Sequence, residues 1–321
     1  MALGHGANIP APVASRRMRA LACSLAAVAM FAGCGSDDDD ASPEASGGAF
    51  DAERAFADLE AQVAIGQRPA GSAESRETAD LIADRLREAG VQDVRIQRPH
   101  LNVVGTIRGD ESSDAIVLGA HHDTKDDVGP GFEGANDGAS GVAVVLELAR
   151  ALAPRVQGPS VHLALFDAEE ARGDRDFASD GLRGSRQYVA YAKQGGEQGS
   201  PPLGDIGAMV LFDLVGDCDL QIAYESNSSR DLYEQFADAA RQVDGDPAPL
   251  EGEAAPILDD HIPFTEAGIP AVDLIDFEFG PGDSPGSYWH TPEDTLDKVC
   301  PESLDAVGEA AVAALPRPAV P

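Results

Sequence analysis

Apolar and polar positions along the chain follow two different periods. Over 52–63 and 74–89 the apolar residues recur every three or four positions, as on one face of a helix, and Gly90 ends the second segment. The same period predicts further helices at 140–152, 182–193, 231–243 and 301–315. Short apolar runs between turn residues predict strands at 91–97, 102–108, 115–119, 161–166, 208–214 and 271–275.

The order of these segments predicts an α/β fold. Strands and helices alternate over residues 50–315, and several strands are apolar throughout, which is typical of a central sheet covered by helices on both faces. Because this region contains no further linker and no internal repeat, we expect it to form a single domain. Residues 316–321 are expected to form a short tail.

Residues 1–49 lack this pattern and predict export from the cell. Three arginines, an apolar segment at 20–32 and small residues before Cys34 make residues 1–33 a secretory signal, whose apolar core is too short to span a bilayer. Residues 31–34 are similar to the processing site of bacterial lipoproteins, so Cys34 is the expected lipidated residue, and plain secretion is the alternative. Residues 34–49 would then be an acidic flexible tether to a membrane anchor.

The formal net charge of −33 narrows the range of partners. Such an excess of acid argues against nucleic acid, whose phosphates would be repelled. Two cysteines, Cys218 and Cys300, lie in the region expected to fold. In an oxidising compartment they could pair, but the sequence alone does not show whether their Cα atoms are close enough.

Acidic residues and histidines follow the ends of several predicted strands or lie in Gly/Pro-rich loops. Each one taken alone is unremarkable, because a strand-end aspartate is more often a helix cap than a ligand. Their joint occurrence is informative, because one sheet would bring its strand ends together. The candidates are His121, Asp123, Asp137, Glu169, Glu170, Asp213 and His290. The remaining histidines of this region are expected to be structural: His100, His122, His162 and His261.

Two imidazoles and three carboxylates are the ligands that zinc uses when its site stays open to substrate. Asp123 stands two residues after His121, a spacing suited to accepting the second ring N–H of the histidine and fixing its tautomer. Glu169 and Glu170 are adjacent and cannot easily point the same way from an extended backbone. One can then bind the metal while the other acts as a base on the reacting atoms.

The order of the motifs resembles that of the zinc metallopeptidases of family M28. His-x-Asp is followed by Asn-Asp-Gly-x-Ser-Gly, Glu-Glu, Phe-Asp-Leu-x-Gly and His-Thr-x-x-Asp-Thr. The resemblance implies a mixed, twisted central sheet sandwiched by helices, one or two zinc ions, and Glu169 as the general acid/base. It implies five metal ligands, with Asp137 bridging if two ions bind: His121, Asp137, Glu170, Asp213 and His290.

One segment resembles the glutaminyl-peptide cyclotransferase branch of that family. Residues 257–270 include Asp-Asp-His-Ile-Pro-Phe, which implies that Asp259 belongs to the catalytic hydrogen-bond network. The Trp-His pair implies that Trp289 forms a substrate-binding wall beside the metal. Two features depart from the branch: Asp273 stands where animal cyclotransferases have a histidine, and residues 171–181 contain no tryptophan.

These features predict an enzyme that acts on peptides with a free N-terminus. The favoured reaction is cyclisation of an N-terminal glutamine to pyroglutamate with release of ammonia. The alternative is a zinc aminopeptidase that removes N-terminal residues. A lipoprotein that only binds a peptide or metal is a third possibility, against which Glu169 argues, because a binding protein needs the ligands but no spare acid beside them.

Overall fold

The computed structural model describes residues 50–111, 114–153, 155–243, 249–282 and 284–315. All of them belong to one compact unit. The predicted signal at 1–33, the whole predicted tether at 34–49 with Cys34, and the tail at 316–321 lie outside the described residues and stay predictions. Within the described residues, no helix has the length and apolar character needed to cross a membrane.

The described residues form nine strands and eight α-helices. The strands are β1 (Gln92–Ile96), β2 (Val103–Gly109), β3 (Ala115–His121), β4 (Arg155–Val156), β5 (Val161–Phe166), β6 (Ile206–Asp213), β7 (Ile222–Glu225), β8 (Leu250–Ala254) and β9 (Ala271–Ile275). The helices are α1 (Ala52–Val63), α2 (Ala73–Glu88), α3 (Ala139–Leu152), α4 (Phe177–Asp180), α5 (Arg183–Lys193), α6 (Arg230–Val243), α7 (Ile262–Glu266) and α8 (Pro301–Ala314).

The main sheet is mixed and has the strand order β1-β2-β5-β3-β6-β9, with the short β4 paired to β2. The pairs β1–β2 and β2–β5 are antiparallel, whereas β5–β3, β3–β6 and β6–β9 are parallel. Since β3, β5, β6 and β9 run in the same direction, their carboxyl ends meet at one edge of the sheet. The residues that follow these four strands therefore come close together in space.

Helices cover both faces of this sheet, as the sequence predicts. Successive strand residues point to opposite faces, so Leu118 and Phe212 belong to one hydrophobic core and their neighbours Val117 and Leu211 to the other. The first core is completed by α1, α2, α3, α6 and α8. The second core is completed by α5 and α7, and Tyr188 is its largest side chain from α5. The prediction of a single α/β domain with a mixed sheet between helices is confirmed.

The predicted elements are present, with ends shifted by at most three residues, but several small elements were not predicted. The parallel pair β7–β8 forms a second, two-stranded sheet. Strand β8 reads Leu-Glu-Gly-Glu-Ala, and after the buried Leu250 its residues are exposed, so the sequence shows no alternation of apolar and polar residues. Helices α4 and α7 have four and five residues and are too short to produce a helical period.

Candidate metal centre and active site

Five polar residues converge at the carboxyl edge of the parallel strands. His121 is the last residue of β3 and Asp213 the last residue of β6. Asp137 lies just before α3, and Glu170 lies in the loop after β5. His290 comes from the loop that precedes α8 and is only partly buried, whereas the other four side chains are buried. These are the five ligands that the sequence predicts, and the fold brings all of them together.

Asp137 occupies the centre of this group. Its Oδ1 lies 3.2 Å from Nε2 of His121, and its Oδ2 lies 3.2 Å from Nε2 of His290. Nε2 of His121 is also 3.2 Å from Oδ1 of Asp213, and Nε2 of His290 is 2.8 Å from Oε1 of Glu170. The five residues therefore form two groups of three that share Asp137, and within each group the potential ligand atoms lie within 4.8 Å of one another.

The residues present fit zinc by their chemistry. Each group contains one imidazole and two carboxylates, a donor set that zinc accepts. Oδ2 of Asp137 is buried and has no hydrogen bond of good geometry within the described residues, so a lone pair is left without a donor. A buried excess of carboxylates is costly unless a cation compensates it. The arrangement fits one ion or two with Asp137 shared, and metal binding itself stays a prediction.

Burial and neighbouring charged groups both shift the pKa values of the site residues. Burial alone raises the pKa of Asp137, but its close contacts with His121 and His290 outweigh it and hold that pKa well below its usual range. Burial lowers the pKa of His290, yet the contacts with Asp137 and Glu170 raise it to about 10. Burial and the nearby Asp137 raise the pKa of Glu170 to about 7. The site therefore favours a positive charge on its histidines, the charge that a metal ion would supply instead.

Glu169 lies beside the two groups and belongs to neither. Its side chain is almost completely buried and lines the same cavity as the five predicted ligands. Burial, followed by the charge of Glu170, raises the pKa of Glu169 well above its ordinary value. A carboxyl group with a raised pKa next to reacting atoms can both accept and return a proton near neutral pH. The location of Glu169 is compatible with the general acid/base role that the sequence predicts.

The contacts of Asp123 correct one detail of the sequence analysis. Its carboxylate was expected to accept the second ring N–H of His121, but Oδ1 lies 3.7 Å from Nδ1. The backbone carbonyl of Asp123 lies 3.1 Å from Nδ1 and takes that place. The carboxylate accepts the backbone N–H groups of Glu169 at 3.0 Å and Glu170 at 3.3 Å. Asp123 thus joins the loop after β3 to the loop after β5, which the spacing of two residues did not reveal.

Gly138 allows Asp137 to approach His121. Its φ of +94° lies in the region that favours glycine, and it immediately precedes α3. A Cβ on Gly138 would lie 2.7 Å from the backbone oxygen of Asp123 and 3.3 Å from the ring of His121. The glycine of the Asn-Asp-Gly motif is therefore explained by close packing of backbone and ring next to the shared aspartate.

A cavity of about 540 Å³ opens over the site. Trp289 lines it and stacks on the ring of His290, with ring centroids 3.9 Å apart and planes inclined by 18°. Phe277 contacts Trp289 edge-on at 5.1 Å. Further apolar lining comes from Phe177, Ile257, Leu258 and Ile275. The cavity thus has one polar end at the predicted ligands and one apolar wall, a combination typical of small-ligand sites.

Asp259 also lines the cavity and belongs to a buried group of acids. Burial, followed by the charge of Asp213, raises its pKa well above the usual value, and burial likewise raises the pKa of Asp260 to about 7. Asp273 is buried behind it, and its Oδ2 lies 3.6 Å from Nδ1 of His261. Asp259 was predicted from the sequence to belong to the site, whereas Asp260 was not. The adjacent Asp-Asp pair before a short helix was the available signal.

Asp294 is a further residue whose role sequence reasoning missed. It is completely buried, and its two carboxylate oxygens accept the backbone N–H groups of Asn136 at 2.8 Å and Asp137 at 3.1 Å. Burial raises its pKa to about 7. Asp294 is the aspartate of the His-Thr-x-x-Asp-Thr motif. The motif therefore pointed to this residue, but the sequence did not show that it binds the backbone next to Asp137.

The remaining predicted features are placed as follows. His122 is buried against the carbonyl of Leu101, and it belongs to neither group of potential ligands. Cys218 and Cys300 form a disulfide, with Cα atoms 4.9 Å apart. The pairing that the sequence left open is therefore present, and it joins the segment after β6 to the segment before α8.

The mixed sheet with buried histidines and carboxylates at its parallel strand ends is the arrangement of an α/β enzyme with a candidate metal centre. The model of peptidase family M28 matches residues 102–315, so the chain belongs to peptidase family M28. This confirms the family that the order of motifs indicated.

Known proteins similar to this chain have two kinds of activity. An aminopeptidase of Bacillus subtilis is 29% identical over 210 residues, which make up 63% of this chain and 40% of that protein. The structure of a glutaminyl cyclase from an Acidobacteriales bacterium is 28% identical, with a TM-score of 0.72 over 88% of this chain and 97% of that chain. A Zn-dependent exopeptidase from Parabacteroides distasonis is 25% identical, with a TM-score of 0.70 over 83% of this chain and 98% of that chain. The chain spans about half the length of the curated relatives that it matches.

Proposed function

We propose that this protein is a zinc-dependent glutaminyl-peptide cyclotransferase, which converts an N-terminal glutamine of a peptide to pyroglutamate and releases ammonia. The observation that carries the proposal is a single cavity lined by Glu169, the buried Asp259 and Trp289. Such a cavity offers a base, a second acid and an aromatic surface to one small N-terminal residue. The similarity to a bacterial glutaminyl cyclase over nearly the whole length of that chain supports it.

The proposed zinc ligands are the two groups that share Asp137. Asp137, Glu170 and His290 would hold one ion, and His121 with Asp213 would complete a second site around Asp137. When bound, zinc supplies a Lewis acid that polarises the carbonyl of the reacting amide.

Glu169 would move the proton in the reaction. Its carboxylate accepts a proton from the α-amine of the substrate, whose nitrogen forms a bond to the side-chain amide carbon of the same glutamine. The carbon–nitrogen bond of the amide then breaks, and Glu169 returns the proton to the departing nitrogen, which leaves as ammonia. The raised pKa of Glu169, caused by burial and by Glu170, suits a group that must both accept and donate.

Asp259 and Trp289 would orient the substrate. Asp259 lines the cavity on the side of Glu169 and can hold the attacking amine by a hydrogen bond. Trp289 is fixed by its stacking on His290 and offers a flat surface against the side chain of the glutamine. Holding amine and amide together in this way removes much of the entropic cost of ring closure.

The alternative function is that of a zinc aminopeptidase. The observation that favours it is the complete set of five potential ligands, with Asp137 facing both histidines, because two metal ions suit peptide hydrolysis. Glu169 would then take a proton from water and deliver it to the leaving amine. A protein that only binds peptides or metal is the third possibility.

The test uses residues 50–321, loaded with zinc and incubated with one Gln-initiated and one Leu-initiated peptide, with Glu169→Gln as the control. We expect mass spectrometry to detect loss of ammonia from the Gln peptide, and we expect Glu169→Gln to lower kcat at least ~100-fold while zinc is still bound. Release of free leucine or glutamine would make the protein an aminopeptidase. Zinc binding with no turnover of either peptide would support the binding protein.

We also propose that the protein is exported and anchored through a lipid on Cys34, with peptides as substrates outside the cytoplasm. The support is the arginine-rich, apolar and small-residue order of residues 1–34. Metabolic labelling with a fatty acid, with Cys34→Ala as the control, should label the wild-type chain alone. Release of unlabelled wild-type protein into the medium would favour plain secretion.

A further inference from the structure

Arg68 is the largest completely buried side chain among the described residues. It lies before the region matched by the family model, which begins at residue 102, and it was not among the predicted site residues. Burying a guanidinium costs much free energy unless its donors are satisfied and its charge is compensated. The hydrogen-bond partners and nearby charges of this guanidinium therefore indicate its role.

The guanidinium of Arg68 binds the backbone of the two loops that carry predicted metal ligands. Its Nε donates to the carbonyl of His122 at 3.3 Å, directly after His121. Nη1 donates to the carbonyl of Glu133 at 3.0 Å, and Nη2 donates to that of Gly134 at 2.8 Å, a few residues before Asp137. The planar guanidinium of arginine donates to these three carbonyls at once, which a lysine ammonium cannot do in the same geometry.

The backbone of Arg68 also contacts the loop after β3. Its N–H donates to Oγ1 of Thr124 at 2.8 Å, and its carbonyl accepts the N–H of Thr124 at 3.3 Å. The segment around Arg68 is therefore joined to residues 122–124 through main chain and side chain together.

The charge of Arg68 is compensated from a distance and not by an ion pair. In the part of the chain that the structure describes, no carboxylate oxygen lies within 4.0 Å of its guanidinium. Burial lowers the pKa of Arg68 to about 10, opposed by the charges of Asp294, Asp137 and Asp123. Arg68 thus remains a cation at neutral pH behind an acid-rich site.

Arg68 and Asp294 both form hydrogen bonds to the backbone of residues 133–137. Arg68 holds the carbonyls of Glu133 and Gly134, whereas Asp294 holds the N–H groups of Asn136 and Asp137. Gly134 has a φ of +58°, and a Cβ there would lie 2.5 Å from Cγ2 of Thr124 and 3.2 Å from Nη2 of Arg68. The close fit leaves the segment that presents Asp137 little freedom to shift.

We propose that Arg68 is a positioning residue of the metal centre, whose buried guanidinium fixes the loops that present His121 and Asp137 so that both face one cation. The inference rests on the proposed metal site. A residue with a merely structural role would stabilise the fold without affecting how tightly zinc binds. Arg68 acts on the spacing of two ligands, so its loss lowers zinc affinity even in a folded chain.

The experiment measures the zinc dissociation constant of residues 50–321 by competition with a chromophoric chelator. It compares the wild type, Arg68→Met, Arg68→Lys and Arg150→Met. Arg150 is the matched control, because it is also mostly buried and joins Asp58 at 2.5 Å and Glu147 at 2.9 Å in the helix layer. Circular dichroism and thermal unfolding of the metal-free proteins establish which variants are folded at the temperature of the assay.

We expect Arg68→Met to weaken zinc binding by ~10- to 100-fold. Arg68→Lys keeps the positive charge but not the planar guanidinium, so its zinc affinity should lie between those of Arg68→Met and the wild type. Arg150→Met should lower thermal stability and leave zinc affinity unchanged. If Arg68→Met does not fold, the zinc affinity of Arg68→Lys tests the proposal instead. Unchanged zinc affinity in a folded Arg68 variant would overturn the proposal, as would failure of both Arg68 variants to fold. A wild type that binds no zinc would instead contradict the proposed function.

Discussion

At the scale of the residue, the site depends on where Asp137 directs its two oxygens. One faces Nε2 of His121 and the other faces Nε2 of His290, each at 3.2 Å. The backbone that carries this carboxylate is held in place, because the N–H of Asp137 donates to Asp294 and the following Gly138 lies close to Asp123 and His121. The position of Asp137 is therefore determined by its backbone, and substitutions that move this backbone should act on the site without removing a ligand.

Gly138→Ala tests this dependence on the backbone. We expect zinc affinity to fall by ~10-fold or more, because the new Cβ would lie 2.7 Å from the oxygen of Asp123 and 3.3 Å from the ring of His121. Gly129→Ala is the control, since Gly129 has a similar φ of +106° but open space around its Cβ. Both variants should lose ~1 kcal/mol or more of stability through backbone strain. Equal zinc affinity in the two variants would contradict the argument.

His162 provides a pH-dependent prediction at a distance from the site. It lies in β5 with Nδ1 3.3 Å from Oγ1 of Thr106, and burial lowers its pKa from 6.5 to about 4. The folded state keeps the imidazole neutral, so its contribution to stability is complete above pH 6.5 and is lost as the pH falls from 6.5 towards 4. The loss should approach about 3 kcal/mol.

The measurement is urea unfolding of the wild type and His162→Gln at several pH values from 4 to 7.5. The difference in unfolding free energy between the two should shrink or reverse as the pH falls, because glutamine does not titrate. A difference that stays constant over this range would show that His162 does not titrate between folded and unfolded states.

At the scale of the element, hydrogen bonds and a disulfide join the loops at the strand ends to one another. The carboxylate of Asp123 binds the loop after β5. The N–H of Cys218 donates to the carbonyl of Lys298 at 3.3 Å, and that of Cys300 donates to Gly216 at 3.0 Å, beside their disulfide. The segment that follows Asp213 is thereby attached to the segment that begins α8.

Removing the disulfide by Cys218→Ser with Cys300→Ser should lower the unfolding free energy. The bond closes a loop with a sequence separation of 82 residues, for which the chain-entropy argument gives about 4.5 kcal/mol. Urea unfolding with and without a phosphine reductant measures the effect. The reductant should destabilise the wild type and leave the double variant unchanged. A double variant as stable as the wild type would show that hydrogen bonds alone hold the two segments.

At the scale of the whole molecule, acid is in excess both overall and at the site. The formal net charge is −33, and the lining of one cavity includes Asp137, Glu169, Glu170, Asp213 and Asp259. Mutual repulsion of buried carboxylates opposes folding, so a divalent cation at this position should stabilise the whole domain.

Removal of zinc should therefore lower the melting temperature. At a free zinc concentration 100 times the dissociation constant, binding to the folded state alone contributes about 2.7 kcal/mol, which corresponds to ~5–10 °C for a domain of this size. Calorimetry after treatment with a chelator, and again after zinc is restored, measures the shift, and elemental analysis of the restored protein counts the ions. An unchanged melting temperature would contradict a metal centre in this group of residues.

The sequence predicted the fold class because periodicity is a local property. Helix α1 was predicted at its observed residues, Ala52–Val63, since its apolar positions recur every three or four residues. The pair β7–β8 was missed because β8 is mostly exposed, and its pairing joins residues 222–225 to residues 250–254 without a local pattern. Short elements held by tertiary contacts leave little trace in local composition.

The sequence by itself determined the alternating strands and helices and the family. It also determined that six residues lie at strand ends or in loops: His121, Asp137, Glu169, Glu170, Asp213 and His290. Only the tertiary structure decided which atoms meet. Asp294 binds the backbone of Asn136 from 158 positions away, Arg68 binds Glu133 from 65 positions away, and Asp123 uses its carbonyl for His121 and its carboxylate for the next loop. The physical reason is that chain periodicity records the face on which a residue lies, whereas the partner of a polar atom depends on how distant loops pack together.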